Sequence, residues 1–343
     1  MEPQFTPIEN IGEFELIDRV SAILGESADP DLILGIGDDA AVFRADDDHS
    51  FVLSTDMLVE GVHFDFSYVP LSHLGAKAIS SNVSDVAAMN ALPSYATISL
   101  GIPPRVSVEM VEEFYRGIRQ ACDMYEMTIV GGDVSRARQF TISVAIVGRV
   151  ETRRLSFRRG AQPGDLICVT GDAGSAFAGL KVLLEQQKSM KEQGDAFVPD
   201  IDDYRTVINR QLMPAARVDV IKGWHEADFR PNAMIDTSDG LASEVNHLCR
   251  NSQLGALVDL AEVPVLTETN SVAEKYEAAL AEFVLYGGED YELMFAINPN
   301  DLDKLNPSAT HVIGTFTAQS EGVRLRFPNS QVVPLEAKGF KHF

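Results

Sequence analysis

The apolar, strand-length runs of this chain end repeatedly on one device, an aspartate set beside glycine or a hydroxyl residue. LIL at 32–34 runs into GIGDDAAVF, with Asp38 and Asp39; FVL closes on Ser54-Thr55-Asp56; MTIV closes on Gly131-Gly132-Asp133. NAMI ends in Asp236-Thr237-Ser238-Asp239, and Gly287-Gly288 lead into Glu289, Asp290 and Glu292. Asn82 and Asp85, three apart, share one face of a helix rich in small residues. Any one of these is an ordinary turn or helix cap, the common use of aspartate. Together they form a set, because accidental solvated acids have no reason to follow buried strands so regularly.

GIGDDAAVF also has the outline of a dinucleotide-binding turn, Gly35-x-Gly37-x-x-Ala40. That motif needs a helix directly after the turn, so that N–H groups at the helix start meet a pyrophosphate. VFRADDDHS instead reads as a strand end and a polar turn. Two carboxylates facing a pyrophosphate would also repel it unless divalent cations lay between them. The dinucleotide reading fails. Carboxylate oxygens are what Mg²⁺ takes, usually beside phosphate oxygens and water. The junctions therefore read as a metal-dependent phosphate site, with Gly131 and Gly132 letting phosphate approach the backbone.

Between the junctions, helices and strands mix. Residues 10–24 place apolar side chains at helical spacing, with Asn10 as the cap. Residues 71–90 and 107–125 are further helices, the second capped by Ser107. LILGI, FVLSTDML, SYATISLGI, MTIVGGD and FTISVAIVGRV are the strands of the first half. Around 151–164 the character changes to the densest basic stretch in the chain, ending in Pro163-Gly164. A domain boundary is expected there, dividing 1–150 from 151–343. Beyond it DLICVT, NAMID, LGALVDL, YELMFAI and HVIGTF read as strands separated by helices, with a polar stretch at 186–203 joining two of the helices. The Gly-rich turn at 169–180 either holds an anion at a helix N-terminus or is a tight packing turn. The expected class is α/β (mixed α+β), with two α/β layers side by side.

A chain of 343 residues is long enough for two cores. Its 51 acidic residues against 28 basic ones give a net charge of −23, which repels both a nucleic-acid backbone and an anionic membrane. Neither is an expected partner. Cys122, Cys168 and Cys249 make neither a disulfide framework nor a zinc site. The start lacks a basic region followed by an apolar core, and no run approaches the ~18–20 apolar residues of a membrane helix, so the cytoplasm is the expected location. The P-loop and protein-kinase motifs are missing. His63, in EGVHF, is either a partly buried strand histidine or a substrate contact.

In order along the chain, GIGDDAAV, STDMLVEGVHF, NVSDVAAMNA, VGGDVSRA, IDTSDGLASE and GGEDYELMF closely resemble the thiamine-monophosphate kinase family. That family is a branch of the aminoimidazole-ribonucleotide-synthetase-like superfamily of ATP-using enzymes. The resemblance runs from about residue 11 to the final KGFKHF. It implies a two-domain synthetase-like fold, in which the N-terminal sheet forms a barrel across a homodimer and a C-terminal α/β domain completes the site. It also implies ATP-dependent phosphorylation of thiamine monophosphate to thiamine diphosphate, by direct in-line transfer with several Mg²⁺ ions. Carried across by position, Asp39, Ser54, Thr55, Asp56, Asp85, Asp133, Asp236 and Asp239 hold metal. Tyr115, Gly132, Arg158 and Ser238 contact ATP, and His63, Glu289 and Phe340 contact the thiamine phosphate. No residue is assigned as acid, base or nucleophile. A phosphate monoester is already largely ionised at neutral pH, with a second pKa of about 6, and metal and position drive the transfer.

The chain departs from the family pattern in three places. Asn90 stands where glycine is frequent at a helix end, and Val134 replaces a common threonine. Ala337 stands where some relatives carry an aromatic, for which Phe340 is the expected replacement. Two alternatives compete with the kinase. Another ATP-dependent synthetase of the superfamily would need a reactive cysteine or mobile Gly-rich loop near its start, and this short N-terminus has neither. A non-catalytic nucleotide- or metal-binding relative would be expected to lose a carboxylate junction, and none is missing.

Overall fold

The computed structural model describes residues 8–25 and 27–337. The first half is built on a six-stranded sheet in the order β1-β2-β3-β6-β4-β5. Its strands are β1 (Leu32–Leu34), β2 (Ala41–Arg44), β3 (His49–Val59), β4 (Leu92–Ile102), β5 (Thr128–Arg136) and β6 (Thr141–Glu151). Neighbours are antiparallel except β4 and β5, which run parallel. Alternation sends Ile98 and Leu100 of β4, and Ile142, Val144 and Ile146 of β6, into the core. α1 (Gly12–Leu24) precedes the sheet, and α2 (Leu71–Ala88) packs against it with α3 (Val108–Tyr125) alongside.

The small residues of α2 have a packing reason. A Cβ on Gly75 would fall 2.1 Å from the Phe114 carbonyl oxygen, and one on Gly117 of α3 would fall 1.7 Å from that of Ser72. The two helix backbones touch, which any larger residue at those points would prevent. Ser107 caps α3 as expected, accepting the Met110 N–H at 3.3 Å. Asn10 does not cap α1; Ile11 occupies that position with no side-chain hydrogen bond, because Ile8–Asn10 is itself a 3-10 turn.

The second half is a seven-stranded sheet in the order β13-β12-β9-β11-β7-β10-β8. The strands are β7 (Leu166–Thr170), β8 (Ala233–Asp236), β9 (Leu254–Asp259), β10 (Leu293–Ile297), β11 (Thr310–Ala318), β12 (Val323–Arg326) and β13 (Val332–Pro334). The helices are α4 (Ser175–Gln193), α5 (Arg205–Leu212), α6 (Val218–Glu226), α7 (Leu241–Ser252), α8 (Thr267–Lys275) and α9 (Leu280–Tyr286). β8 and β10 are buried at every position because both sheet faces are covered. One face meets Val245 and Leu248 of α7; the other meets Ile221 and Trp224 of α6, whose indole lies 4.9 Å from the Phe295 ring. The polar stretch at 186–203 does join two helices, α4 and α5, but only its second part, from Gly194 on, is the connection. The first part extends α4 to Gln193, since Gln, Lys and Glu are good helix formers that need no apolar face. Sequence patterning missed β12 and β13 and read β2 only as a strand end before a polar turn; none of the three exceeds four residues.

The halves share a core. Ala178 and Val182 of α4, and Val207 and Leu212 of α5, cluster with side chains of α2 and α3. α2 thus lies between the sheets and also touches α6 and β8. Just past its end, Asn90 takes the left-handed conformation, φ 58°, that glycine would supply, and its Nδ2 donates to the Arg154 carbonyl at 2.8 Å. Among the described residues no helix is long and apolar enough to cross a membrane. Cys122, Cys168 and Cys249 are buried free thiols.

Candidate active site

Residues from both halves line one cleft of about 1100 Å³. Asp39 in the loop after β1, Asp85 on α2 and Asp236 at the end of β8 bring carboxylate oxygens within 4.8 Å of one another. Each arrives by a local device. Ser54 Oγ donates to Asp85 Oδ2 at 2.5 Å, and Ser84 Oγ donates to Asp236 Oδ2 at 2.7 Å. Asn82 Oδ1 accepts the Asp56 main-chain N–H at 3.2 Å, so the Asn82–Asp85 spacing pins β3 with one residue and joins the cluster with the other.

Asp38 and Asp39 have different duties. Asp38 accepts the Arg158 main-chain N–H and so fastens the segment between the halves. Asp39 Oδ1 receives Nη2 of Arg158 at 2.5 Å and Nε at 3.1 Å. Asp39 Oδ2 is buried without a hydrogen bond.

Burial raises the pKa of all these acids, because it penalises the charged form. It is the largest cause at Asp38, reinforced there by the charge of Asp39. Burial also dominates at Asp85, followed by the charges of Asp56, Asp236 and Asp39; at Asp236, Asp39 comes next. Asp39 and Asp56 are raised by burial as well. Such a cluster, offset by one guanidinium, asks for a proton or a cation. Its donors are hard oxygens, and the orphaned Oδ2 of Asp39 is an acceptor waiting for one, so the residues fit a hard divalent ion.

The rim is made of two loops tied together. Glu289 N–H donates to the Ser238 carbonyl (2.8 Å), Tyr291 N–H to that of Thr237 (3.0 Å) and Thr237 N–H to that of Glu292 (2.8 Å). A Cβ on Gly288 would fall 2.2 Å from the Ser238 oxygen, so only glycine permits this approach. Ser238 and Asp239 line the cleft here. Glu244 of α7, buried and pushed well up by that burial and then by Asp239, accepts the Asp239 N–H at 2.8 Å.

The three acids of GGEDYEL part company. Glu289 lines the cleft. Asp290 takes the N–H groups of Gly174 (2.6 Å) and Ala176 (3.0 Å), so the acceptor at the start of α4 is the protein's own side chain. Glu292 is buried between Arg210 (2.5 Å) and Arg217 (2.7 Å) and accepts the Thr170 hydroxyl.

His63 lines the cleft, its Nδ1 accepting the Val59 N–H at 3.0 Å. Thr55 also borders it, but alternation along β3 turns its side chain away from Ser54 and Asp56, and its hydroxyl donates to the Val144 carbonyl at 2.8 Å. Tyr115, Gly132 and Asp133 are not in this wall. Tyr115 packs edge-on to Phe114 at 5.7 Å. Gly132 and Asp133 lie on β5, an edge strand exposed almost throughout. A Cβ on Gly132 would fall 2.0 Å from the Ile98 oxygen, so strand contact accounts for this glycine without phosphate. Phe340 lies outside the described residues. Tyr68, Phe177, Leu180, Leu184 and Tyr286 add an aromatic and apolar part to the wall, with Asp65, Ser81 and Gln187 also in the lining. Lys77 and Gln211, which hold Glu289, escaped sequence reasoning. The one available signal was a single lysine in a helix of small residues.

The model for AIR synthase related protein, N-terminal domain, matches residues 37–150, and that for the C-terminal domain matches 162–325. The thiamine-monophosphate kinase of Aquifex aeolicus (strain VF5) is 38% identical over 336 residues, which is 98% of this chain and 99% of that one. That of Escherichia coli (strain K12) is 35% identical over 338 residues, 97% of this chain and 98% of the other. A solved structure of AaThiL complexed with AMPPCP and TMP aligns with a TM-score of 0.84 at 36% identity, covering 99% of this chain and 100% of that one.

Proposed function

The chain belongs to the thiamine-monophosphate kinase family of AIR synthase related proteins, and from that premise we infer that it transfers the γ-phosphoryl group of ATP to thiamine monophosphate, giving thiamine diphosphate. The observation that carries this reading is the cleft, which joins a buried carboxylate cluster and an aromatic wall in one cavity.

Asp39, Asp85 and Asp236 would hold Mg²⁺, with Ser54, Asp56 and Asp239 beside them. Bound there, the ions would offset the mutual repulsion of two phosphate groups and the charge on the one being transferred. The side chains supply orientation. Arg158 spends Nε and Nη2 on Asp39 and keeps Nη1 for a phosphate oxygen of ATP, and Ser238 lines the same cleft. His63 Nδ1 accepts the Val59 N–H, which holds the ring at the cleft wall, where it would contact the substrate. Tyr68, Phe177 and Tyr286 offer faces to the substrate rings, and Glu289 offers a carboxylate to the substrate.

Tyr115, Gly132, Asp133 and Thr55 would join through a homodimer. The open face and edge of the first sheet expose Leu53, Met57, Tyr95, Val130 and Val134, and a second copy closing that face into a barrel would bury them. A division into 1–150 and 151–343 follows the two sheets, and the buried thiols suit a reducing cytoplasm. The deciding assay follows ADP and thiamine diphosphate with Mg·ATP, with and without thiamine monophosphate. Equal yields that vanish on chelation support the reading. ATP binding without thiamine diphosphate overturns it.

A further inference from the structure

Two donors from different halves of the chain grip Glu289, and both grip the same oxygen. Lys77 Nζ on α2 donates to Glu289 Oε2 at 2.9 Å, and Gln211 Nε2 on α5 donates to it at 2.7 Å. Lys77 also donates to the Gln211 main-chain oxygen at 3.2 Å, which closes a triangle. The Lys77 side chain is 5% exposed and that of Glu289 25%, so the lysine stays inside while the carboxylate opens to the cleft.

Two acceptors are left over. Glu289 Oε1 takes no hydrogen bond from the described residues, and Gln211 Oε1 is buried without a partner. The amide cannot turn round, since that would set two oxygens 2.7 Å apart. A buried ion pair contributes little net stability over apolar side chains of the same size. Orienting a carboxylate is what an apolar residue at 77 could not do.

We propose that Lys77 and Gln211 are positioning residues that hold Glu289 by Oε2 and so present its Oε1 as the acceptor for an N–H donor on the substrate ring, namely the exocyclic amino group of the aminopyrimidine. The inference rests on the reaction proposed above. It makes the site selective for an amino over an oxo pyrimidine, because a carbonyl there would face a carboxylate oxygen with nothing to donate.

The test compares kcat/KM for thiamine monophosphate and for its analogue with oxo in place of amino. The proteins are wild type, Lys77→Met, Lys77→Arg and Gln211→Met. Wild type is expected to prefer the amine by a factor on the order of 10⁴. Lys77→Met and Gln211→Met should each cut that preference about tenfold, chiefly through KM for the amine, and Lys77→Arg should restore part of it. Gln211→Met carries the test if Lys77→Met does not fold. An unaltered preference in folded variants, or no preference in wild type, overturns the inference alone. Wild type that turns over neither compound overturns the reaction and this inference together.

Discussion

Arg158 reaches one oxygen of Asp39 with two donors, Nη2 at 2.5 Å and Nε at 3.1 Å, and the other oxygen stays buried and unpartnered. Removing the arginine leaves a buried carboxylate alone among other acids. Arg158→Met is expected to lower stability by about 3–5 kcal/mol and to end turnover. Arg158→Lys keeps the charge but not the fork, so it should retain part of the stability and little of kcat/KM. Denaturant melts and steady-state kinetics check both; an Arg158→Met protein as stable as wild type would sink the argument.

Asp85 is raised by its own burial first and then by Asp56, Asp236 and Asp39. A neutral amide relieves that crowding. Asp85→Asn and Asp56→Asn should therefore fold and, without added ions, melt no lower than wild type. Both should lose most activity and most of the rise in melting temperature that Mg²⁺ gives wild type. Thermal shift with and without Mg²⁺ reads the second effect, and wild-type kinetics in either variant would remove these residues from the site.

Asp290 is pushed up to about 7, chiefly by burial, against the pull of its two N–H donors. Its folded pKa thus lies above its unfolded one. The stability this contributes is complete below about pH 4 and is lost as pH rises through 7. Each unit of such a displacement is worth about 1.4 kcal/mol. The advantage of wild type over Asp290→Asn in unfolding free energy should shrink between pH 5 and pH 8. An advantage that grows with pH would mean the carboxylate is ionised in the fold.

Gly288→Ala forces a methyl group against the Ser238 carbonyl, 2.2 Å away in the present backbone. The tied loops must part, at a cost of about 1–3 kcal/mol. Activity should fall further than stability explains, because Ser238 and Glu289 move with the loops. Activity unchanged relative to wild type at 20 °C below the melting point would show that the rim need not be closed.

Val130 and Val134 are 60% and 63% exposed on the outer strand β5. Sedimentation equilibrium is expected to show a dimer that Val134→Lys weakens at least tenfold. A monomeric wild type would leave Gly132 and Asp133 outside any site.

The acids of the site were legible because each sits in a local pattern. Asp39, Asp56 and Asp236 follow apolar strands, and Asp85 shares a helix face with Asn82. The separation of Thr55 from Ser54 and Asp56 is equally local, since it follows from the two-residue period of a strand. The grouping of Glu289, Asp290 and Glu292 misled, because the loop's turns send neighbours along the chain to a cleft, a helix end and an arginine pair. Nothing near Lys77 announces a partner 212 residues away.

Residue type and spacing by themselves determined most of the helices, the longer strands and which of them carry oxygens. They could do so because a helix face, a strand face and a turn are properties of a few consecutive residues. Which oxygens meet was decided by tertiary structure alone. The strand orders β1-β2-β3-β6-β4-β5 and β13-β12-β9-β11-β7-β10-β8 are not the order of the chain. Burying α2 between those sheets brings together side chains that no local period relates.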